Sequence, residues 1–351
     1  MNPNPRTGGT FVSYLDNWSV VEKTNAWFGQ LEFMFPELHV PVSGTAGLRY
    51  VDTRTNSTGY TQQTAGSNVS FQPGSIGGGY KQALPSFNLK VDLLPDTLIA
   101  LFAAAKVMAR PAPSQLAIRQ STDIVGLTGS RGNPGLLPFL STDYDAGLEW
   151  YYSPGGFLSA AYFRKDISRF ILTTTQNVVV NDVTYSITFP NNGTDSVKVD
   201  GLELGGQYAF DFLPAPFNGF GVTANYTYQK DKGFKQLSLI DNSPLPFPGL
   251  SRNSYNWSVY YENRIVSARV SYNWRSRWLI NASGRGNLPE FNDAYGQLDA
   301  NLSFNINQHL LLTLEGINLT NQQLVQENAP ARKIQLETFG ERVFLGVHGK
   351  F

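Results

Sequence analysis

Residues 253–275 read NSYNWSVYYENRIVSARVSYNWR, and apolar and polar side chains alternate in both halves of this stretch. Tyr255 and Trp257 share one face of an extended chain, whereas Asn256 and Ser258 lie on the opposite face. Alternation with a period of two predicts β-strands that have one apolar and one polar face. Each half is about ten residues long, which is the length that a tilted strand needs to cross a lipid bilayer.

The same alternation recurs along the chain and predicts thirteen antiparallel strands. Soluble β-sandwiches share this alternation, so the connections between strands have to distinguish them from membrane β-barrels. Short turns alternate strictly with long polar loops, which places all long loops at one end, as in outer-membrane barrels with periplasmic turns and extracellular loops. The predicted strands span residues 23–35, 39–55, 80–93, 97–108, 142–152, 157–173, 197–211, 218–230, 253–262, 265–277, 294–306, 309–318 and 337–351.

The predicted fold is therefore all-β, an antiparallel transmembrane β-barrel. Its aromatic residues near strand ends, such as Trp150 and Trp274, suit the two interfacial girdles of such barrels. The predicted short turns are at 36–38, 94–96, 153–156, 263–264 and 307–308, with a longer one at 212–217. The predicted long loops cover 56–79, 109–141, 174–196, 231–252, 278–293 and 319–336.

The composition fits this fold and argues against several other classes. Charged residues make up 15% of the chain and aromatic residues 13%, which is typical of strands, whereas a soluble α/β enzyme carries nearer a quarter charged residues. The 27 Lys and Arg residues balance the 27 Asp and Glu residues, so the chain lacks the basic field of a nucleic-acid-binding protein. The absence of cysteine excludes disulfides, thiolate metal sites and a cysteine nucleophile.

The apolar runs and the two ends of the chain carry further information. The longest apolar run, residues 98–105, is eight residues long and too short for a membrane-spanning helix. The first ten residues, MNPNPRTGGT, lack the apolar core of a secretory signal. The last strand closes on Phe351, and a terminal aromatic residue of this kind resembles the signal that the barrel-assembly machinery of outer-membrane proteins reads.

Eight stretches occur in an order that is similar to one family of receptors. They are LRYVDTRTNSTGY (48–60), AAKVMARPAPSQL (104–116), LEWYYSPGG (148–156), FRKDISRFI (163–171), VDGLELGGQY (199–208), YNWRSRWL (272–279), YGQLDANLSFNI (295–306) and LEGINLTNQ (314–322). As an ordered series that covers nearly the whole chain, they resemble TonB-dependent receptors, in particular a proteobacterial group associated with carbohydrate uptake. No single stretch is specific, so the order carries the resemblance.

The resemblance implies an outer-membrane receptor that takes up a nutrient with energy from TonB, without enzymatic activity or a cofactor. Such receptors have a signal, a TonB-binding motif, a globular plug and a barrel of about 22 strands. The chain is therefore expected to be a C-terminal fragment that lacks the plug and the first third of the barrel. Residues 23–351 are the expected barrel portion, residues 1–22 an upstream loop or partial strand, and residues 9–21 a candidate fourteenth strand.

The implied partners are the TonB complex through the absent N-terminal region, outer-membrane lipid, the barrel-assembly machinery and a small nutrient. Within the sequence, His39, His309 and His348 lack metal-ligand spacing, so no metal site is predicted. Asp143 and Asp145 share a strand face, as glycosidase acids do, but a polar lumen also requires charged residues. No catalytic residues are predicted.

The candidates for ligand binding are loop aromatics and lumen arginines. Tyr60, Phe247, Trp278 and Phe291 are placed to stack on a sugar ring, with loop packing or interface anchoring as their alternative role. Among the lumen charges, the ligand-binding candidates are Arg49, Arg269, Arg275 and Arg342. The complete set of predicted lumen charges is Arg49, Lys90, Asp92, Lys106, Glu149, Glu203, Arg269, Arg275, Asp299, Glu315, Arg342 and Lys350.

The mixed signs of these charges slightly favour a neutral carbohydrate over an anionic iron–siderophore complex as the ligand. Three alternatives remain open at the level of the sequence. They are a siderophore receptor of the same fold, a passive porin-like channel and a surface adhesin barrel.

Overall fold

The structure is a computed structural model that describes residues 2–3, 10–11, 14–65, 68–123, 125–180, 182–328 and 332–350. Thirteen antiparallel strands form a curved wall, and all thirteen predicted strands are confirmed. The wall strands are β1 (Ser19–Phe35), β2 (Val42–Ala65), β3 (Asn68–Leu94), β4 (Leu98–Ala109), β5 (Phe139–Ser153), β6 (Gly156–Ser168), β7 (Ser196–Ala209), β8 (Phe220–Lys232), β9 (Asn253–Glu262), β10 (Val266–Arg275), β11 (Tyr295–Asn307), β12 (Leu310–Ile317) and β13 (Arg342–Gly349).

The wall strands follow one another in chain order, as in an up-and-down barrel. β1 is paired with β2, and β13 is paired with β12. The described part of the 9–21 segment adds no further strand to the wall. Residues 10–11 pair with residues 2–3, Tyr14–Asp16 form a 3-10 turn, and β1 itself begins at Ser19, four residues before the expected start.

One face of the wall is apolar across neighbouring strands because the registers place apolar side chains side by side. Leu302 of β11 is paired with Leu314 of β12, and Leu314 is paired with Leu345 of β13. Leu345 is 77% exposed, as expected for a side chain that meets lipid and not a protein core. The opposite, polar face is the lumen. Every helix in the described part of the chain is too short or too polar to span a membrane.

Short connections lie at one end of the wall and long ones at the other, as the sequence predicts. The prediction of a loop over residues 56–79 is wrong, because β2 continues to Ala65 and β3 begins at Asn68 in an unbroken register. The inner side of this long hairpin is covered by the segment before β5. There, the backbone N–H of Ile118 donates to Ser57 Oγ at 2.8 Å, which supports extended backbone beyond the membrane.

The remaining long connections are also more ordered than the predicted loops, because they pair with one another. The hairpins 120–123/128–131 and 171–180/183–192 meet through a parallel contact of residues 128–130 with 186–188. A separate four-stranded sheet consists of Trp278–Asn281, Glu290–Asn292, Gln323–Glu327 and Lys333–Thr338. Since Lys333–Thr338 belongs to this sheet, the last wall strand begins at Arg342 and not at the predicted residue 337.

Candidate ligand-binding site

Four side-chain amides form a row across four neighbouring strands on the lumen face. Asn225 of β8 is paired with Asn256 of β9, Asn256 with Asn273 of β10, and Asn273 with Gln297 of β11. We call these four residues the amide row. Because adjacent strands lie about 4.8 Å apart, the row spans about 14 Å. Asn256 Nδ2 donates to Asn225 Oδ1 at 2.7 Å, and all three asparagines are exposed to the lumen.

Hydroxyl side chains border the amide row on both sides. Thr223, Ser258 and Ser271 lie next to it toward the short turns, and Thr227 and Ser254 lie next to it toward the long loops. Thr223 Oγ1 and Ser258 Oγ are 2.7 Å apart and share a hydrogen bond. Amides and hydroxyls each both donate and accept hydrogen bonds. This sector of the lumen wall is therefore neutral and can meet donors and acceptors alike.

Arg275 borders this sector on the side of the long loops. It helps to line a cavity of about 370 Å³ together with Asn256, Asn273 and other polar residues. Arg275 Nε donates to Ser251 Oγ at 2.7 Å, and Arg275 Nη2 donates to the carbonyl oxygen of Gly249 at 2.9 Å. The guanidinium carbon lies 3.8 Å from the centre of the Trp278 ring. These three contacts fix the orientation of the guanidinium group.

Beside Trp278, the long loops pack into a hydrophobic core against the lumen face of β6 and β7. Phe247 packs edge-on against Phe170 and Phe234, with ring centroids 5.4 Å and 5.6 Å apart. This core holds the loops over one side of the lumen mouth. Its buried residues are Phe163, Ile167, Phe170, Val197, Val199, Phe234, Leu245 and Leu279.

The structure brings four of the predicted ligand-binding residues to this region. Phe247 and Phe291 pack against the loop core, while Arg275 and Trp278 stack on each other beside it. The ring of Phe291 is also covered by Arg277, whose guanidinium carbon lies 3.6 Å from the ring centre. Arg275 therefore lies next to the amide row, and Trp278 lies against Arg275.

The other predicted ligand-binding residues lie apart from this region. Tyr60 is in β2 and contacts Tyr14, with ring centroids 5.1 Å apart. Arg49, Arg269 and Arg342 are exposed on the lumen face. The registers pair Arg49 with Phe28 and Leu84, Arg269 with Asn301, and Arg342 with Ile317. Arg269 lies over the Tyr260 ring at 5.4 Å. Phe351, the predicted insertion signal, lies outside the described residues.

Ten of the twelve predicted lumen charges fall on the lumen face by register. Lys350 follows the end of β13, and the placement of Lys106 is wrong. Lys106 is paired with Thr142 on the apolar face, two positions along β4 from Ala104. The sequence of β4, LIALFAAAKVMA, is apolar at nearly every position, so its alternation does not define which face meets the lumen. The ten lumen charges are Arg49, Lys90, Asp92, Glu149, Glu203, Arg269, Arg275, Asp299, Glu315 and Arg342.

The amide row is the feature that sequence reasoning missed. A row across strands depends on the register, and each asparagine alone is an ordinary polar position. One signal was available, because the short turn at residues 263–265 fixes the pairing of β9 with β10 and thereby sets Asn256 opposite Asn273. The longer connections on either side give no such fixed offset for Asn225 and Gln297.

A family model described as "TonB dependent receptor-like, beta-barrel" matches residues 2–319. No curated protein sequence matches the chain. Among solved structures, the Ferric-Catecholate import receptor Fiu from K12 E. coli is similar, with a TM-score of 0.66 and 16% identity over 95% of this chain and 45% of that chain. The ferric yersiniabactin uptake receptor FyuA from Yersinia pestis has a TM-score of 0.62 and 14% identity, over 95% and 46% of the two chains.

The copper transporter OprC is similar to the same degree, with a TM-score of 0.64 and 16% identity over 95% of this chain and 48% of that chain. The chain thus spans about half the length of these solved structures. At such low identities the likeness establishes the fold alone.

Proposed function

Because the chain belongs to the TonB-dependent receptor β-barrel family, we propose that it forms the ligand-selecting barrel wall of a receptor for TonB-energised uptake of a neutral carbohydrate. Members of this family and the similar solved structures are transport receptors and not enzymes. The protein is located in the outer membrane of a Gram-negative bacterium. The ligand and the coupling to TonB are the proposed parts of this function.

The amide row carries the proposal. Sugar hydroxyls donate and accept hydrogen bonds without carrying charge, and side-chain amides offer both kinds of partner in a fixed geometry. The bordering hydroxyls of Thr223, Ser258 and Ser271 extend this neutral surface. Trp278 adds an aromatic ring near its outer end. An anionic ligand would instead gain most from a cluster of free positive charges.

The lumen charges next to this sector do not form such a cluster. Arg275 is already bonded to Ser251 and Gly249, and it stacks on Trp278. The lumen face of β11 carries Asp299, which accepts hydrogen bonds from Gln297 Nε2 at 2.9 Å and 3.0 Å. Negative and positive groups are thus mixed at the border of the neutral sector. This balance supports a neutral ligand over ferric complexes such as those of the ferric-catecholate import receptor Fiu and the ferric yersiniabactin uptake receptor FyuA.

Fluorescence titration of the purified chain with maltotriose, xylotriose and ferric enterobactin tests the ligand class. We expect saturable binding of a neutral trisaccharide. Asn273→Leu should weaken that binding by about two- to tenfold, as for the loss of one hydrogen bond. Ser303→Leu is the matched control, because Ser303 lies on the same face near the short turns and should leave the affinity unchanged.

Binding of ferric enterobactin in place of both sugars would contradict the proposal and support a siderophore receptor. Uptake assays then separate the remaining alternatives. Uptake that persists in cells without TonB would indicate a passive porin-like channel. A deletion strain without any uptake defect would indicate an adhesin barrel.

A further inference from the structure

A pit interrupts the lipid-facing side of the wall between β6 and β9. The registers align Leu158 of β6, Gly206 of β7, Ala224 of β8 and Trp257 of β9 in one row on this face. The two central residues are small and the two outer residues are large. The resulting depression, which we call the outer pit, has a volume of about 460 Å³.

The rows on either side close the outer pit along the strands. Leu204 and Tyr226 border it toward the long loops, and Tyr208 and Val222 border it toward the short turns. The hydroxyl of Tyr226 donates to Asn253 Oδ1 at 2.7 Å, so its hydrogen-bonding need is met within the protein. The pit is therefore lined by aliphatic groups and aromatic rings.

A second pair of small residues on the same face shows how the chain fills such a depression by itself. Ala300 of β11 is paired with Gly316 of β12. The side chain of Leu319 covers this pair, because a Cβ atom at Gly316 would lie 2.6 Å from Leu319 Cδ2. Gly316 is accordingly buried. In the outer pit, a Cβ atom at Gly206 would lie 2.8 Å from Leu158 Cδ2, so Leu158 covers Gly206, whereas Ala224 stays exposed. The part of the outer pit at Ala224 is thus left open to an occupant from outside the described chain.

The position of the outer pit along the strands identifies the leaflet. Gly206 lies three residues before the end of β7 at Ala209, which is about 10 Å from the short-turn end of the wall. Tyr208 contacts Phe210 and Phe212 at this end, with ring centroids 5.3 Å and 6.0 Å apart, as in an aromatic girdle at a membrane interface. The pit therefore lies just inside the interface on the periplasmic side.

We propose that the outer pit binds one acyl chain of a phospholipid from the periplasmic leaflet. The pit is continuous with the lipid-facing surface of the barrel, so an acyl chain can enter it without leaving the bilayer. Water in an apolar pit would lose hydrogen bonds, and an empty pit would lose dispersion contacts with its lining. A flexible acyl chain removes both losses. The bound phospholipid is then a fixed component of this part of the wall.

Native mass spectrometry of the full chain, purified in detergent with palmitoyl-oleoyl phosphatidylethanolamine, tests this proposal. Wild-type protein should retain one phospholipid at a detergent concentration that strips the rest. Ala224→Leu fills the pit and should retain none. Ala268→Leu is the control, because Ala268 lies on the same face between Tyr261 and Leu302 and outside the pit. It should retain one phospholipid, as wild-type protein does.

Equal retention by wild-type protein and Ala224→Leu, whether of one phospholipid or of none, would overturn the proposal. Equal loss from Ala268→Leu and Ala224→Leu would also overturn it, because retention would then depend on the whole lipid-facing surface. Heat-modifiable gel mobility shows which variants are folded. If Ala224→Leu is unfolded, the smaller substitution Ala224→Val replaces it. Equal retention by Ala224→Val and wild-type protein, or equal loss from Ala224→Val and Ala268→Leu, would then overturn the proposal.

Discussion

Asn318 lies in the connection after β12 and combines a left-handed backbone with a buried side chain. Its φ is 56°, and it is 1% exposed. Asn318 Oδ1 accepts from the backbone N–H of Gln322 at 2.8 Å, and Asn318 Nδ2 donates to the carbonyl oxygens of Gln322 and Gly340 at 3.2 Å and 3.3 Å. The stretch LEGINLTNQ contributes to the family resemblance, but this conformation is visible only in the structure.

Asn318→Ala should lower the free energy of unfolding by about 2–3 kcal/mol, because it removes these hydrogen bonds and strains the backbone. Asn318→Gly relieves the strain and should lose less stability. Urea unfolding in lipid vesicles, followed by tryptophan fluorescence, measures both changes. Unchanged stability of Asn318→Ala would show that the side-chain bonds contribute nothing.

Substitution of Arg275 tests how much its stacked guanidinium group contributes to the free energy of unfolding. A lysine cannot form two directed hydrogen bonds and lie flat on the Trp278 ring at the same time. Arg275→Lys should therefore lower the free energy of unfolding by about 1–2 kcal/mol. The control is Arg269→Lys, because Arg269 is exposed and lies 5.4 Å from the Tyr260 ring centre. Equal effects of the two substitutions would contradict a special role for Arg275.

Asp241 lies in the loop between β8 and β9, and its pKa predicts how the stability of this turn depends on pH. The hydroxyl of Ser243 donates to Asp241 Oδ1 at 2.7 Å, and this bond, followed by the Ser243 backbone N–H, lowers the pKa of the carboxyl group. The lowered pKa means that the carboxylate stabilises this turn above the ordinary carboxyl pKa. That stabilisation is lost as pH falls through the lowered pKa.

Ser243→Ala should raise the pKa of Asp241 toward its ordinary value, because the strongest donor is removed. Carbon NMR of selectively labelled aspartates gives the titration, and Asp241→Asn identifies the signal. An unchanged pKa would show that the hydrogen bond from the Ser243 hydroxyl does not stabilise the Asp241 carboxylate.

At the scale of structural elements, the loop core depends on Leu279, which is 0% exposed. Leu279→Ala should cost about 3 kcal/mol, because it leaves a cavity between the loops and the lumen face. Limited proteolysis should then cut residues 233–252 faster while the wall strands stay protected. Leu239→Ala is the control, because Leu239 lies within residues 233–252 and is 69% exposed. Unaltered protection in Leu279→Ala would mean that the core does not hold the loops.

The strands of the wall could be predicted from the sequence because each has a polar lumen face and an apolar lipid face. The strands of the long connections beyond the membrane could not be predicted in this way. Both of their faces are polar or partly covered, and their pairing depends on distant segments. The hairpin of β2 and β3 is an example, because its outer half is stabilised by Ile118 from another connection. Lys106 shows the same limit inside the wall, where β4 is apolar on both faces.

At the scale of the whole molecule, the register determines what the lumen offers to a ligand. The candidate site was only partly predictable: Arg275 and Trp278 were identified as single residues, whereas the amide row required the pairing of four strands. Because the thirteen wall strands are antiparallel in sequence order, β1 and β13 run in the same direction.

The central claim is that alternate residues of each wall strand face lipid and water. The chain contains no cysteine, so each introduced cysteine is the only thiol. Single cysteines at Val270, Ser271, Tyr272 and Asn273 of β10, in protein inserted into lipid vesicles, should react with a water-soluble maleimide in an alternating pattern. The account predicts rapid labelling at positions 271 and 273 and protection at 270 and 272 until the membrane is dissolved. Equal labelling at all four positions, or the opposite alternation, would contradict it.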